Sequence, residues 1–415
     1  MRKKENKKPK LLFICPALGV RSEVWLYRQA TGMNHFDVHV LCNQHQNQVD
    51  YPALNCAVTE MQPSTSLLSR AYRKCRRVIR KRLGLAATTG AQGFDASKWE
   101  QLTANNFDAC LVQYGTMATK FTKRLIESKI PYVIHFHGFD LSQKVLDPEY
   151  VRNLTPGLQA ASHLIVVANY MRDWLINQGV EASKIISIPC GVPTEQLSKI
   201  ISLPYGVPTD QFVAGPKAEQ ECRFLMVGRL THKKSPQATI RAFARCHQQY
   251  PETRLRIIGD GLLKKECQQL VTQLNLTSVV TFLGAQPSST VQRELATADV
   301  FLQHSVTPES GDREGWPVAI AEAAASSLPV ISTRHASIPE QVIHGETGFL
   351  VEEHDWEAMA EYMCQLAGDR ENRVAMGTLA QKHISQWDSR DQIQSLQQVL
   401  LSTVHVKKQS IGNRP

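Results

Sequence analysis

The chain alternates between short apolar runs and longer stretches in which apolar residues recur every three or four positions. The short runs, rich in Val, Ile and Leu, are typical of buried strands, and the longer stretches of amphipathic helices. In the first half the pattern predicts strands at Leu11–Cys15, Asp37–Leu41, Ala109–Gln113, Tyr132–His137, His163–Val167 and Ile185–Pro189. It predicts helices at Glu23–Thr31, Thr119–Ser128 and Tyr170–Gln178. Strands that alternate with helices indicate βαβ units and a parallel sheet.

The second half repeats this rhythm. Strands are predicted at Phe224–Val227, Arg254–Ile258, Val279–Leu283, Asp299–His304 and Pro329–Thr333. Helices are predicted at Pro236–Gln249, Leu262–Leu274, Val291–Ala296, Pro317–Ser326 and over Trp356–Thr403. A single core rarely grows beyond roughly 250–300 residues, so a chain of 415 residues is expected to form two domains. The predicted fold class is α/β, with two doubly wound domains.

A duplicated segment lies where the two domains join. Lys184–Leu197 reads KIISIPCGVPTEQL and Lys199–Phe212 reads KIISLPYGVPTDQF, with ten of fourteen positions identical. One copy is expected to complete the last strand of the first domain and the other to be an insertion, and the sequence leaves open which is which. We therefore predict a first domain over 1–195, a linker over 196–217, a second domain over 218–385, and a C-terminal helix with a tail over 386–415.

The formal net charge is +9, and much of it lies in one stretch. Residues 70–82 carry eight basic side chains interleaved with apolar ones. Such a stretch can lie on an anionic membrane, bind nucleic acid or form a solvated helix face. No nucleic-acid motif accompanies it, so we expect no nucleic-acid partner, and peripheral membrane contact and a solvated face stay open.

The cysteines bear on the compartment. Ten cysteines are scattered along the chain without a CxxC pair, which favours a reducing, cytoplasmic location over a disulfide scaffold or a zinc site.

No apolar run reaches the ~18 residues of a membrane span. The apolar stretch after the basic start is expected to be a buried strand and not a signal peptide.

Two glutamates flank the start of the helix predicted at Pro317. Glu314 precedes the helix and Glu322 lies within it, eight residues further on. If the helical path extends back to Glu314, both carboxylates face roughly one side. In a doubly wound domain, ligands bind beyond the carboxyl ends of the strands, where this loop should lie. Glu322 could accept hydrogen bonds from a ribose, and its spacing also fits a solvent-facing residue of a half-buried helix.

Two further clusters follow strands. Gly228 and Arg229, with Lys233 and Lys234 close behind, precede a helix and are suited to a diphosphate, although a basic surface turn has the same composition. In the first half, His137 follows a strand and is a candidate hydrogen-bond donor to a sugar. His135 and His137 without a third ligand are a poor zinc pattern, so no metal site is expected.

Together these segments resemble the retaining glycosyltransferases of family 4, which have the GT-B fold of two facing Rossmann-like domains. The resemblance is carried by Gly228-Arg229-Leu230 with Lys234, by the paired glutamates of Glu314–Glu322, by Ile338-Pro339-Glu340, by Gly345–Leu350 and by His137–Asp140. It spans roughly residues 10 to 390. It implies a nucleotide diphosphate sugar as donor, a glycan acceptor, no metal or other cofactor, and a C-terminal helix that crosses back to the first domain.

The resemblance also implies a role for each matching residue. Arg229 and Lys234, with Gly228, would bind the donor diphosphate, and Glu322 the donor ribose. Glu314 and His137 would act on the donor sugar, with the backbone N–H groups of Gly315, Trp316 and Val318. Ser22 and Glu23 would lie on the acceptor side. Pro317, Ser235 and Ser337 depart from positions where the family often has glycine, which bears on the details of sugar contact.

The loop from Gln303 to Glu314 is similar to the branch that builds exopolysaccharides of the colanic acid and amylovoran type. There the acceptor is usually a lipid-linked saccharide, and residues 70–82 would then contact the cytoplasmic face of the membrane. Three alternatives stay open: a nucleotide-sugar epimerase of the same two-lobed fold, a dinucleotide oxidoreductase, and a non-enzymatic membrane-surface protein. Gly259-Asp260-Gly261 lacks the third glycine of a dinucleotide fingerprint, which disfavours the oxidoreductase.

Overall fold

Two lobes, each built on a parallel sheet, make up the chain in this computed structural model. The structure describes residues 7–61, 96–180, 185–187, 200–202, 206–215 and 221–412. The basic stretch at 70–82 lies outside these residues, as do parts of both copies of the repeat. Within the part described, no helix is both long enough and apolar enough to cross a membrane.

The first sheet has eight strands in the order β3-β2-β1-β4-β5-β6-β8-β7, all parallel. They are β1 Lys10–Leu18, β2 Asp37–His45, β3 Cys56–Glu60, β4 Ala109–Gln113, β5 Tyr132–His135, β6 His163–Val166, β7 Ile185–Ser187 and β8 Ile200–Ser202. The helices of this lobe are α1 Val24–Gly32, α2 Ala96–Thr103, α3 Gly115–Glu127, α4 Pro148–Ala160 and α5 Asn169–Asn177. All five residues of β4 are buried because the central strands of a parallel sheet are covered on both faces.

The second sheet has six parallel strands in the order β11-β10-β9-β12-β13-β14. They are β9 Cys222–Val227, β10 Thr253–Ile258, β11 Val280–Gly284, β12 Val300–Gln303, β13 Val330–Thr333 and β14 Gly348–Val351. The helices are α6 Pro236–Gln249, α7 Lys264–Gln273, α8 Ser288–Thr297, α9 Val318–Ala325, α10 Ile338–Gln341, α11 Trp356–Gly368, α12 Arg370–Ile384 and α13 Ser389–Gly412. The predicted α/β class with two doubly wound domains is confirmed.

Both copies of the duplicated segment supply a strand to the first sheet. The second copy, β8, pairs with β6, and the first copy, β7, pairs with the outer edge of β8. The second copy therefore occupies the position beside β6. The predicted linker over 196–217 is wrong at its start, because β8 belongs to the first sheet. Two near-identical sequences have the same preference for a strand, so each forms one.

The C-terminal helix joins the lobes. Four residues of α13 lie fully or nearly buried in the hydrophobic core of the first lobe: Leu396, Val399, Leu400 and Val404. The Gln397 side chain accepts a hydrogen bond from His35 N–H at 2.8 Å, and His163 Nδ1 lies 3.1 Å from Thr403 Oγ1. The predicted crossing of this helix back to the first domain is confirmed.

Candidate active site

The two lobes meet where the loop between β12 and α9 faces the segment after β5. A Cβ atom on Gly315 would lie 2.5 Å from the His137 carbonyl oxygen, and one on Gly138 would lie 2.7 Å from the Gly315 nitrogen. Gly138 also has φ +107°, which side chains rarely allow. Glycine at both positions therefore lets the two backbones touch at the junction of the two lobes, the cleft.

Glu314 lies at this contact and is paired with Lys234. The Lys234 ammonium is 3.0 Å from Glu314 Oε1, and Ser305 Oγ donates to the same oxygen at 3.2 Å. Burial alone would raise the pKa of Glu314, but the nearby ammonium groups of Lys234 and Lys233 lower it to about 2. Glu314 is therefore a buried, ionised carboxylate with a cation beside it. Both residues were predicted at the site from the sequence, and in the structure they form a direct ion pair.

Two more cations stand at the same turn. Lys233 Nζ is 3.0 Å from Asp312 Oδ2 in the loop before Glu314, so the turn and the loop are held together. Arg229 is exposed and follows β9 directly after Gly228. Its charge acts across the cleft on Glu23 and Tyr114 of the first lobe. The turn after β9 thus presents positive charge to the cleft.

Glu322 differs from Glu314 in its surroundings. It lies on α9 and is only partly exposed, and burial raises its pKa to about 7, with a weak opposing effect from Arg28 of the first lobe. The helix begins at Val318, with Pro317 as its N-cap, so the helical path does not extend back to Glu314. Glu314 therefore precedes the helix as predicted, and the condition for both carboxylates to face one side of a single helix is not met. The environments of the two glutamates move their pKa values in opposite directions.

His137 is buried under aromatic residues of the first lobe. Its ring lies 4.3 Å from that of Trp25 and 4.5 Å from that of Tyr114, and burial lowers its pKa well below the ordinary value. Gln113 uses its amide nitrogen to donate to Gln29, so its oxygen accepts from His137 Nε2 at 2.7 Å. The Nε2–H of neutral His137 is therefore used within the lobe and does not match the expected donor to a sugar.

The predicted acceptor side lies at the mouth of the first lobe. Ser22 and Glu23 belong to a short 3-10 helix, Arg21–Glu23, in which Ser22 is exposed and Glu23 half-buried. Burial raises the pKa of Glu23, opposed by a hydrogen bond with Tyr114 and by the charge of Arg229. Of the two residues, Glu23 is the one that contacts the rest of the cleft.

The residues that follow Glu314 divide between the lobes. Trp316 is buried in the hydrophobic core of the first lobe and packs edge-on against Trp387 at 5.1 Å. Val318, the first residue of α9, contacts the cores of both lobes. This segment is therefore both a part of the cleft floor and a structural tie between the two halves.

Several further residues shape this site, of which the sequence indicated Asp140 only as part of the His137–Asp140 segment, without a role, and the others not at all. Asp140 is fully buried and accepts from Gly115 N–H and His137 N–H, and burial raises its pKa to about 6. Tyr114 has φ +72°, unusual for a residue with a side chain, and its ring lies 4.5 Å from that of His137. Tyr170 donates to the Glu314 carbonyl oxygen at 3.0 Å, and His335 contacts the Glu314 N–H. Tyr114 and His335 follow strands, the signal that could have found them.

No metal site is apparent in the described ranges, where no group of three or more His, Cys, Asp or Glu side chains could hold an ion. The polar groups where the two lobes meet instead form ion pairs and hydrogen bonds with one another.

Two family models match the chain. The model described as Glycosyltransferase Family 4 matches residues 23–196, and the model described as Glycosyl transferases group 1 matches residues 209–383. Between them they span most of both lobes. The site residues Glu23 and His137 fall in the first match, and Arg229, Lys234, Glu314 and Glu322 fall in the second.

Curated relatives have about 30% identity. The amylovoran biosynthesis glycosyltransferase AmsK of Erwinia amylovora is 31% identical over 63% of this chain and 61% of its own length. The putative colanic acid biosynthesis glycosyltransferase WcaL of Escherichia coli strain K12 is 32% identical over 60% of this chain and 57% of its own length. The chain thus matches less than two thirds of the length of either relative. Its predicted resemblance to this branch is confirmed.

Solved structures share the fold. HepE of Anabaena, in complex with UDP and glucose, has a TM-score of 0.70 at 19% identity and covers 95% of this chain and 100% of its own. Sucrose-phosphate synthase from Thermosynechococcus elongatus has a TM-score of 0.70 at 14% identity, over 98% of this chain and 100% of its own. At such identities the likeness concerns the fold alone. With both lobes matched by the two models, the chain belongs to the two-lobed glycosyltransferases described by group 1 and family 4.

Proposed function

We propose that this chain transfers a sugar, with retention of configuration, from a nucleotide diphosphate donor to a saccharide acceptor. The observation that carries the proposal is the Lys234–Glu314 ion pair of 3.0 Å at the contact between the lobes, with Arg229 and Lys233 beside it. A transferase of this kind must stabilise negative charge on a departing diphosphate while it holds the sugar nearby. Cations and a carboxylate at one point of the cleft meet both needs.

The diphosphate would bind at the turn after β9. Arg229 is exposed and can approach an anion directly, whereas Lys234 is held 3.0 Å from the carboxylate of Glu314. As charge develops on the leaving phosphate, Lys234 would share its hydrogen bonds between Glu314 and that phosphate. Fixed cations can supply the stabilisation that a divalent metal supplies elsewhere, so we propose that the reaction needs no metal.

Glu322 would bind the donor ribose. Its carboxylate lies in a site that raises its pKa to about 7, so ionisation there is costly without hydrogen-bond donors. Two neighbouring ribose hydroxyls are donors of the required kind. Glu314, with the backbone N–H groups of Gly315 and Val318, would contact the donor sugar.

Retention would follow if bond formation and bond cleavage take place on one face of the sugar. The acceptor oxygen forms a bond to the anomeric carbon as the bond from that carbon to the phosphate oxygen breaks. The proton of the acceptor hydroxyl passes to an oxygen of the leaving phosphate. No protein nucleophile is needed in this route, and closure of the lobes would limit hydrolysis by water.

The acceptor is proposed to be a lipid-linked saccharide in exopolysaccharide assembly. The names of the relatives, amylovoran and colanic acid biosynthesis glycosyltransferases, support a role in exopolysaccharide assembly, and the lipid link of the acceptor is proposed from the family resemblance. The protein would then work in the cytoplasm at the inner face of the membrane. Residues 70–82, outside the described ranges, supply the basic charge that such contact would use.

A donor panel tests the proposal. The purified protein is incubated in EDTA with uridine, guanosine and thymidine diphosphate sugars and a saccharide acceptor, and products are identified by NMR and mass spectrometry. We expect one donor series to yield a glycoside with the anomeric configuration of the donor. An epimerised donor formed without acceptor would identify an epimerase instead, and an inverted linkage or a strict requirement for a divalent metal would overturn the mechanism.

A further inference from the structure

A buried histidine, His335, is paired with a half-buried glutamate, Glu353, next to Glu314. His335 follows β13 and is fully buried, and its Nδ1 is 2.6 Å from Glu353 Oε1. Its other ring nitrogen, Nε2, is 3.1 Å from the backbone nitrogen of Glu314. Neither residue belongs to the motifs that carry the resemblance to the family.

The contacts determine which ring nitrogen holds the proton. A backbone N–H can only donate, so the Nε2 atom that faces Glu314 has to be the acceptor. In neutral imidazole the proton then lies on Nδ1, which donates to Glu353. The carboxylate of Glu353 therefore selects the tautomer that the Glu314 peptide needs.

Glu353 is itself fixed. Thr307 donates its backbone N–H to Glu353 Oε2 at 2.7 Å and its hydroxyl to Oε1 at 3.2 Å. Burial alone would raise the pKa of Glu353, but these bonds and the bond from His335 lower it, so the group is a carboxylate. The loop from Thr307 to Glu314 is thus tied at both ends to one carboxylate and one imidazole.

Every polar group of Glu314 has a partner in this arrangement. Its N–H is bound by His335, its carbonyl by Tyr170 of the first lobe, and its carboxylate by Lys234 and Ser305. Rotation of the peptide about the His335 contact would move the carboxylate away from Lys234. His335 has no exposed surface and so acts on the reaction through Glu314, not by touching a substrate.

We propose that His335, oriented by Glu353, is a positioning residue that holds the Glu314 peptide and does so only as the neutral Nδ1–H tautomer. The proposal rests on the proposed role of Glu314 beside the donor sugar. A protonated His335 has an N–H donor on both ring nitrogens. Its Nε2 could then no longer accept from the Glu314 N–H, and two donors would face each other. The charged groups that face it are Glu353, Glu314 and Arg313.

Two substitutions test the two hydrogen bonds of His335 separately. In His335→Gln the amide oxygen can replace Nε2 as acceptor for the Glu314 N–H, whereas in His335→Asn the amide nitrogen can replace Nδ1 as donor to Glu353. We expect His335→Gln to keep kcat within about 5-fold of wild type and His335→Asn to lose about 10–100-fold, with the donor KM changed less than kcat. His247→Asn, which removes a histidine bonded to Thr253 elsewhere in the second lobe, is the matched control.

The pH profile supplies a second readout. Burial lowers the pKa of His335, against the opposing effects of Glu353 and Glu314, so its protonation should impair kcat only on the acidic side of the ordinary histidine range. His335→Gln has no ionisable ring and should lose that part of the acid limb, while any limb due to another group stays. A purely structural histidine would leave the shape of the profile unchanged.

A measurement independent of turnover keeps the proposal testable if a variant folds poorly. In protein labelled with nitrogen-15 histidine, the His335 signals, identified by their loss in His335→Gln, should report a proton on Nδ1. A proton on Nε2, or kcat in His335→Asn equal to or above that of His335→Gln, overturns the proposal. An inactive wild type with the Nδ1–H tautomer would instead count against the proposed transferase function alone.

Discussion

Glu314 and Glu322 show how two identical side chains acquire different properties in one site. Glu314 has ammonium groups beside it, which lower its pKa to about 2 in spite of burial. Glu322 has no ammonium group bonded to it in the described part of the chain, and burial raises its pKa to about 7 against the charge of Arg28. The first glutamate is stable as a carboxylate without a ligand. The second is stabilised as a carboxylate only when hydrogen-bond donors are brought to it, as the proposed binding of a ribose would do.

Replacing Glu322 by Gln should stabilise the free protein and weaken donor binding. A group whose pKa is higher in the folded state than in the unfolded state contributes stability below its unfolded pKa, and this stability is lost as the pH rises through the folded pKa. The pKa goes from 4.5 to about 7, so Glu322→Gln should gain about 1–2 kcal/mol of unfolding free energy at about pH 8, with allowance for partial solvent access. At about pH 4 it should gain nothing.

Urea unfolding at several pH values measures this difference. Glu346→Gln, at an exposed position of the same lobe, is the control and should change little at any pH. A Glu322→Gln protein that is less stable than wild type at high pH would contradict the account of this residue, because it would mean that the carboxylate already has good partners.

The sequence could predict the charged residues of the site but neither the Lys234–Glu314 ion pair nor the network behind it. Glu314, Arg229 and Lys234 stand in recognisable spacing next to strand ends, so their types and places point to charge chemistry. His335 and Glu353 are eighteen positions apart and meet only because β13 and β14 are neighbours in the sheet. No periodicity along the chain encodes that pairing, although the place of His335, two residues after the end of β13, was a usable signal.

At the scale of elements, hydrophobic runs predicted most of both sheets. Ala109–Gln113 and Pro236–Gln249 form the strand and helix expected of them, with the same bounds. β3 at Cys56–Glu60 was missed because it is an edge strand and only partly buried, so it lacks an apolar run. The region from Trp356 to Thr403 forms three helices because Asp369 caps the second and Asp388 precedes the third.

The C-terminal helix should contribute directly to the stability of the first lobe. Leu400 of α13 is fully buried in the first lobe's core, so Leu400→Ala should cost about 2–5 kcal/mol of unfolding free energy. Gln394→Ala, at an exposed position of the same helix, should cost much less. Chemical denaturation of both variants checks this, and equal losses would mean that the helix does not pack as described.

At the scale of the whole molecule, the lobes are linked beside the reactive cleft as well as through α13. Tyr170 of α5 donates to the Glu314 carbonyl oxygen, the Arg313 guanidinium lies 4.3 Å from the centre of its ring, and Asn169 N–H donates to Glu340 at 3.3 Å. Glu340 thereby caps the start of a helix in the other lobe, where a negative charge is favourable. Residues of both lobes therefore fix the position of Glu314.

Removing the Tyr170 hydroxyl should therefore slow the reaction more than it destabilises the fold. In Tyr170→Phe the ring and its contact with Arg313 stay, and only the bond to Glu314 is lost. We expect kcat/KM to fall about 3–10-fold, the equivalent of one neutral hydrogen bond. Tyr132→Phe removes a bond to Gly157 inside the first lobe and should leave kcat/KM unchanged. Equal effects of the two variants on kcat/KM would argue against coupling between the lobes.

The central claim is that the turn after β9 binds the donor diphosphate with fixed cations, and calorimetric titration tests it most directly. Wild type, Arg229→Ala and Lys265→Ala, a substitution at an exposed position of the same lobe, are titrated in EDTA with the nucleoside diphosphate of the active donor series. Loss of one charge-assisted contact should weaken binding by Arg229→Ala about 10–100-fold, while Lys265→Ala binds like wild type. Unchanged affinity in Arg229→Ala, or binding only with a divalent metal, would contradict the account.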